Sequence, residues 1–289
     1  MTDTIELLTK FTKETERFKT YKIKEYTMIK NPYYVAEITS SRCSVELSVN
    51  SIPNYKHFEE EDIMSTATIE WPINLFISKN GLQHFEVLVM PLKNKTTILP
   101  KAFVRIKIFK TEAIEEYVQQ ELFSEEIEIT FADKKGLSTY VIKNTFQAEL
   151  PFKIEGWENS VDLSKEDKKE LYKEIIAWNE KTAKIYQTSD AVGYKNAFGK
   201  RDLEINQLLY LPQDKSHSFH PKDKYILALN NDLYKLELYA NNKLASVRMP
   251  YELPGFRYDP KVKDEDAIGF SLNVYFHRKQ KGMPLEIIR

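Results

Sequence analysis

Few residues of this chain have the type and spacing to do chemistry, and a pair of histidines comes first. His217 and His220 stand three apart in SHSFHPKDK, flanked by Asp214 and Asp223. With one cysteine in the chain, any zinc site has to be built from histidines and carboxylates. Pro212 and Pro221 bracket the pair. That is turn composition, without the helical presentation that brings two imidazoles onto one ion, so a loop is expected and no metal. The eight glycines stand alone at 81, 136, 156, 193, 199, 255, 269 and 282. No dinucleotide, Walker-type or G-x-S-x-G loop can be written from them, and no cofactor is expected. An acid–base group remains: Tyr186, Tyr194, Asp202 and His277 could line a pocket between a helix and a curved sheet. No spacing ties these four together. The plainer reading packs both tyrosines in the core and leaves His277 on a solvated strand face. No catalytic residue is assigned, and the chain reads as a non-enzyme.

Charge is distributed more tellingly. Between Lys110 and Lys134 there is no Lys or Arg, while the run carries Glu112, Glu115, Glu116, Glu121, Glu125, Glu126, Glu128 and Asp133. A second acidic cluster, Glu59-Glu60-Glu61-Asp62, falls in a loop. The chain as a whole has 42 basic and 43 acidic residues, a net charge of -1. It offers no overall field for nucleic acid or an anionic membrane, and neither is expected as a direct partner. A local carboxylate patch suits a basic protein partner and speeds encounter with it. Glu112, Glu115, Glu116, Glu121, Glu125 and Glu126 are the expected partner-binding surface; the competing reading is a solvated helix face.

Cys43, alone in the alternating run CSVELSV, cannot form an intramolecular disulfide and reads as a small buried hydrophobe. The stretch MTDTIELLTKFTKETERFKTYK lacks the apolar run of a signal peptide, and no window approaches eighteen apolar residues. A cytoplasmic location is expected. Seventeen Tyr, sixteen Phe and three Trp suit either a sheet-rich core or an aromatic interface, and the core is the plainer account.

The elements that position these residues centre on Leu163–Thr188. Leu171, Ile175, Trp178, Thr182 and Ile185 recur at helical spacing, with Asp162 or Ser164 available to cap. No comparable helix is expected elsewhere. Thr4–Phe18 and Thr111–Leu122 are helix-compatible, and Ser189–Leu209 is helical in part, weakened by Gly193 and Gly199. Strands are expected at Tyr33–Thr39, Cys43–Val49, Phe103–Lys110 and Glu126–Phe131. Ile69–Ser78 and His84–Met90 are expected to form a hairpin across Lys79-Asn80-Gly81. Later, Asp232–Tyr239 and Lys243–Arg248 flank the turn Ala240-Asn241-Asn242. Gly269–Arg278 alternates Phe270, Leu272, Val274 and Phe276 inward, and Leu285–Ile288 pairs back onto it. The sum is α+β: an antiparallel β-sandwich in 1–133, then an α+β domain in 134–289 with the long helix packed on an antiparallel curved sheet.

In INLFISKNGLQHFEVLVMPL, LYANNKLASVRMPYELP and GFSLNVYFHRKQKGMPLEIIR, the chain resembles cytoplasmic immunity proteins encoded beside type VI secretion effectors in Gram-negative bacteria. The second half separately resembles the NTF2-like, or cystatin-like, α+β class. The first resemblance implies a non-catalytic protein that binds and neutralises a cognate toxin in the cytoplasm. The second admits an NTF2-like small-molecule enzyme or ligand-binding protein, and a structural or adaptor component of a secretion system is a third expectation.

Overall fold

A computed structural model describes residues 30–58, 66–112, 121–122, 124, 126–213, 227–229, 231–260 and 270–289. The possible helices at Thr4–Phe18 and Thr111–Leu122, apart from the ends of the latter, lie outside them. So do Glu59–Asp62, Asp214, His217, His220 and Asp223.

In chain order the strands are β1 Pro32–Ser41, β2 Ser44–Val49, β3 Ile52–His57, β4 Thr66–Pro72, β5 Gly81–Met90, β6 Phe103–Glu112, β7 Glu121–Leu122, β8 Ile127–Thr130 and β9 Tyr140–Ala148. Two helices follow, α1 Lys168–Thr188 and α2 Ala191–Leu208. The chain then returns to strands: β10 Leu227–Leu229, β11 Lys235–Tyr239, β12 Leu244–Arg248, β13 Phe256–Pro260, β14 Phe270–Leu272, β15 Phe276–His277 and β16 Glu286–Ile287. All strand pairings among the described residues are antiparallel, and the class is α+β.

The first half contains one sheet ordered β4-β1-β6-β7, with β8 also on β6, and a second ordered β3-β2-β5-β9. Their alternating apolar residues meet in one core. Tyr34, Ala36, Ile38, Val104, Ile106 and Ile108 come from the first sheet, and Val45, Leu47, Phe85, Val87, Ile142 and Phe146 from the second. Cys43 is buried in the same core. On the outer side of β6, Arg105 meets Glu128 and Lys107 meets Glu37, so the polar half of the alternation forms cross-strand ion pairs. β9 lies beyond the boundary expected at residue 133 and yet completes the second sheet, pairing β5 from Gly81↔Ala148 to Val89↔Tyr140.

The expected hairpin across Lys79-Asn80-Gly81 is not formed. β4 pairs with β1 in one sheet while β5 pairs with β2 and β9 in the other. Pro72, which lacks an N–H for a ladder, ends β4, and a 3₁₀ turn at Asn74–Phe76 carries the chain across. Asn80, read as a turn residue, clamps the start of the next segment. Its Oδ1 accepts from Leu150 N–H at 2.7 Å and its Nδ2 donates to Leu150 O at 3.2 Å.

In the second half, Asp162 caps only a 3₁₀ turn, Leu163–Lys165, and α1 is capped by Asp167, which accepts from the N–H groups of Lys169 and Glu170. Leu171, Ile175, Thr182 and Ile185 are buried as their spacing predicts, whereas Trp178 is half-buried at the margin, its ring centroid 6.0 Å from that of Phe276. Ser189, left-handed at φ 53°, ends α1, and the next residue caps α2. This explains why Gly193 does not break α2: a Cβ there would fall 2.2 Å from Asp190 Oδ2, the carboxylate that caps the helix. α2 is therefore a full second helix of 18 residues. Glycine has a comparable reason at Gly255, where φ is +142° and a Cβ would lie 2.2 Å from Leu272 O, as β13 begins against β14.

β11 and β12 form the hairpin expected around Ala240-Asn241-Asn242, and β16 pairs back onto β15. Gly269–Arg278 is not one strand: β14 joins β13 while β15 joins β12, with Asn273–Tyr275 crossing between the two sheets. Arg278 fastens this end of the chain to α1 and the turn before it, donating to both oxygens of Glu166 at 2.8 and 3.0 Å and to Glu174 of α1 at 2.8 Å. Among the described residues, no helix is long and apolar enough to cross a membrane.

Ile175→Asp puts an unpaired carboxylate into the α1 core and is expected to cost about 3 kcal/mol or more. Ala177→Asp, on the exposed side of the same turn, should cost only the loss of helix propensity, about 1 kcal/mol or less. Denaturant unfolding of both variants checks the assignment of faces.

Candidate functional site

The four residues named as possible acid–base groups are all buried, in two separate places. Tyr186 packs edge-on to Tyr194, ring centroids 6.3 Å apart, inside the α1–α2 core. Tyr194 OH donates to Asp202 Oδ2 at 3.1 Å and accepts from Arg201 Nη2 at 3.2 Å, while Arg201 reaches Asp202 Oδ1 at 2.7 Å. Burial holds the Tyr194 phenol well above its ordinary pKa, so it does not ionise near neutrality. The tyrosines thus pack as expected, and Asp202 is held by its neighbours.

His277 corrects the expectation of a solvated face: it is 1% exposed. Because the chain crosses between sheets just before β15, the alternation that would have turned His277 outward is interrupted. Its Nδ1 shares a 2.8 Å hydrogen bond with Ser160 Oγ, and its Nε2 lies 3.9 Å from Glu286 Oε2. A serine, histidine and carboxylate in this order suggest a nucleophile, and Ser160 was not among the residues singled out from the sequence. Ser160 is itself 5% exposed, so its hydroxyl is shut off from a substrate carbonyl, and nucleophilic catalysis requires that access.

Burial lowers the His277 pKa below its ordinary 6.5, with Lys200 and Lys279 acting in the same direction and Glu286 opposing. Nearby, Glu155 bonds Lys200 and Lys279, each at 2.9 Å, and these two ammonium groups draw its pKa down to about 2.

Besides a groove of about 760 Å³ between α1 and β11, lined by Tyr172, Lys173, Tyr234 and Leu236 among others, two places stand out as surfaces for binding. Of the acidic residues, Glu115, Glu116 and Glu125 lie outside the described residues, and Glu121 is described only as backbone in β7. Glu112 accepts the Asn31 N–H at 3.0 Å. Glu126 is exposed and meets Arg105 at 3.1 Å and Lys107 at 3.5 Å. The structure therefore brings Glu126 and Glu128 together around Arg105 on one sheet face.

The second place is a cavity of about 480 Å³ where first-half and second-half elements meet. Asn54 of β3, Trp71 of β4, Phe76, Arg201 of α2, Leu272 of β14 and Arg289 contribute to its wall. Arg289, 4% exposed, donates Nε–H to Leu75 O at 2.6 Å and Nη1–H to Glu204 Oε2 at 2.5 Å, and its guanidinium lies 5.2 Å from the Trp157 ring centroid. Asn54, 2% exposed, donates from Nδ2 to Ile52 O at 3.0 Å. Sequence pattern could not find this cavity, since its residues are spread from β3 to Arg289 and meet only through the packing of the two halves. Among the described residues, no group of three or more His, Cys, Asp or Glu could hold a metal ion.

No protein-family model matches the chain, and neither the curated proteins nor the solved structures give a match.

Since the folded-state pKa of His277 is depressed, its neutral form stabilises the fold fully above pH 6.5 and that contribution is lost as pH falls through the lowered value. Thermal unfolding from pH 7.5 to 5 should show stability falling below pH 6.5 in the parent and falling less steeply in His277→Gln.

Proposed function

We propose that this chain is a non-catalytic binding protein, an immunity protein that binds and neutralises a cognate toxin in the cytoplasm. In this reading the first half, joined by β9, is a β-sandwich, and the rest is an NTF2-like module whose helix lies on a curved sheet. The observation that carries it is how the second half fills its interior. Leu171 and Ile175 of α1, Phe198 of α2 and Phe256, Tyr258 and Phe276 of the strands occupy the space between helices and sheets as one packed cluster. An NTF2-like enzyme needs an open pocket there with converging polar groups, whereas the groove of about 760 Å³ between α1 and β11 is lined by Lys168, Lys169, Tyr172, Lys173, Tyr234, Leu236 and Leu238, without a carboxylate or imidazole among them. Here Tyr194 and Asp202 are held by Arg201, and His277 is enclosed with Ser160. What remains for function is the surface, and a carboxylate-rich surface is suited to the basic cleft of a toxin that acts on nucleic acid or nucleotides.

The product of the reading frame adjacent to this gene is expected to arrest a bacterial host when expressed alone. Co-expression of this chain should relieve the arrest and yield a stable complex on purification. Continued arrest, with no complex, contradicts the proposal. For the surface, reversal of Glu115, Glu116 and Glu121 to Lys should slow association by about tenfold at low salt and flatten its salt dependence. An unchanged rate and slope would remove the acidic residues from recognition and leave an apolar or aromatic interface.

A further inference from the structure

The groove between α1 and β11 sets an apolar floor beside an open sheet edge. Tyr172 of α1, Tyr234, and Leu236 and Leu238 of β11 make the floor, and the two leucines are only partly buried. Leu233, two residues before β11, is 52% exposed. Among the described residues β11 ends its sheet and pairs only with β12, from Lys235↔Arg248 to Tyr239↔Leu244. An antiparallel ladder takes up the main-chain groups on one side of a strand, so those on the other side of β11 point outward and can pair with an added strand. Leu236 and Leu238 face the groove, while Tyr239 OH donates to Glu237 on the opposite face of the sheet. A peptide laid along β11 therefore turns every second side chain toward the groove, which is how strand addition combines main-chain affinity with side-chain selection.

Charge selects the peptide. Lys168, Lys169 and Lys173, at the start of α1, form the side of the groove opposite β11, and no carboxylate lines it. Lys173 is paired with Glu170 at 2.6 Å, and Asp167 is taken up by the N–H groups of Lys169 and Glu170. Lys168 and Lys169 have no ion pair among the described residues, and neither has Lys235, exposed at the start of β11. Burial and the nearby charge of Asp232 raise the Tyr172 pKa, so one carboxylate offsets these three cations in part and a positive excess remains. A second copy of the chain would set the same lysines against one another, and a neutral strand would leave them unanswered.

We infer that the groove between α1 and β11 docks an extended acidic segment of a partner protein, added as a strand to the edge of β11. Its apolar side chains rest on Tyr172, Leu236 and Leu238, and its carboxylates meet Lys168 and Lys169. The charge it selects is opposite to that expected of a partner at the acidic surface, and the site does not depend on the identity of a toxin.

The test uses the full chain and a display library of random decapeptides. Selection should enrich sequences that carry Asp or Glu together with Leu, Ile, Val or Phe at every second position. The strongest binder, made as a capped synthetic peptide, should lose affinity as salt rises. Lys168→Glu combined with Lys169→Glu should weaken it about tenfold and keep the parent's thermal unfolding, because acids suit the first turn of a helix. N-methylation of alternate amides should abolish binding in the register that faces β11 and spare it in the other. Hydrogen exchange of the complex should show new protection in β11 and at the start of α1. Selection of no sequence or of sequences without acids, unchanged affinity in the lysine variant, tolerance of N-methylation in both registers, or protection elsewhere would each overturn the inference. A dimer of the free chain that protects β11 would do the same, by making a second copy the occupant.

Discussion

The constraint on which this structure depends is that polar and charged side chains are buried where its two halves meet, and each requires a partner from across the seam. Arg248 of β12 donates to both oxygens of Glu46 on β2, and Tyr275 OH donates to Pro53 O. Asn74, fully buried, accepts from Tyr34 N–H at 2.6 Å and donates to Pro32 O and to Leu208 O at the end of α2. A buried ion pair adds little net stability over an apolar pair, but losing one partner costs about 3–5 kcal/mol because the other stays buried and uncompensated. Such groups therefore specify one docking arrangement. The apolar cluster of Ile52, Trp157, Tyr239, Leu244, Tyr275 and Ile288 lies at the same seam and supplies the attraction they lack. Residues 31–289 accordingly form one compact unit.

The same economy explains why Tyr194, Asp202 and His277 are buried and held by their neighbours. Asp202 neutralises Arg201, Glu204 neutralises Arg289, and His277 satisfies Ser160. These pairings let α2 present Arg201, Asp202, Glu204 and Asn206 as buried residues, which an amphipathic helix could not do without partners on each.

Elements governed by local pattern were legible in the sequence. The alternation of Val104, Ile106 and Ile108, the spacing of Leu171, Ile175, Thr182 and Ile185, and the β11–β12 turn needed no tertiary information. Three features were not legible, for distinct reasons. Asn80-Gly81 has hairpin composition, but Asn80 is used by Leu150, seventy residues away in sequence. α2 was expected to be helical only in part, and its full length was hidden because its inward face is charged. His277 escaped because the alternation of its strand fails at the crossing before it. Of the candidate sites, the acidic run could be read directly, being contiguous, whereas Trp71, Asn54 and Arg289 converge only after both halves have folded.

The account's central claim is that the seam makes the described unit cooperative, and hydrogen exchange followed by mass spectrometry across a denaturant series tests it most directly. Peptides from β2 and β5 report the first half, and peptides from α1 and β12 the second. The account predicts that their protected amides open in one common transition, with the same dependence on denaturant. Exchange of α1 and β12 through an earlier opening, while β2 and β5 remain protected, would contradict it.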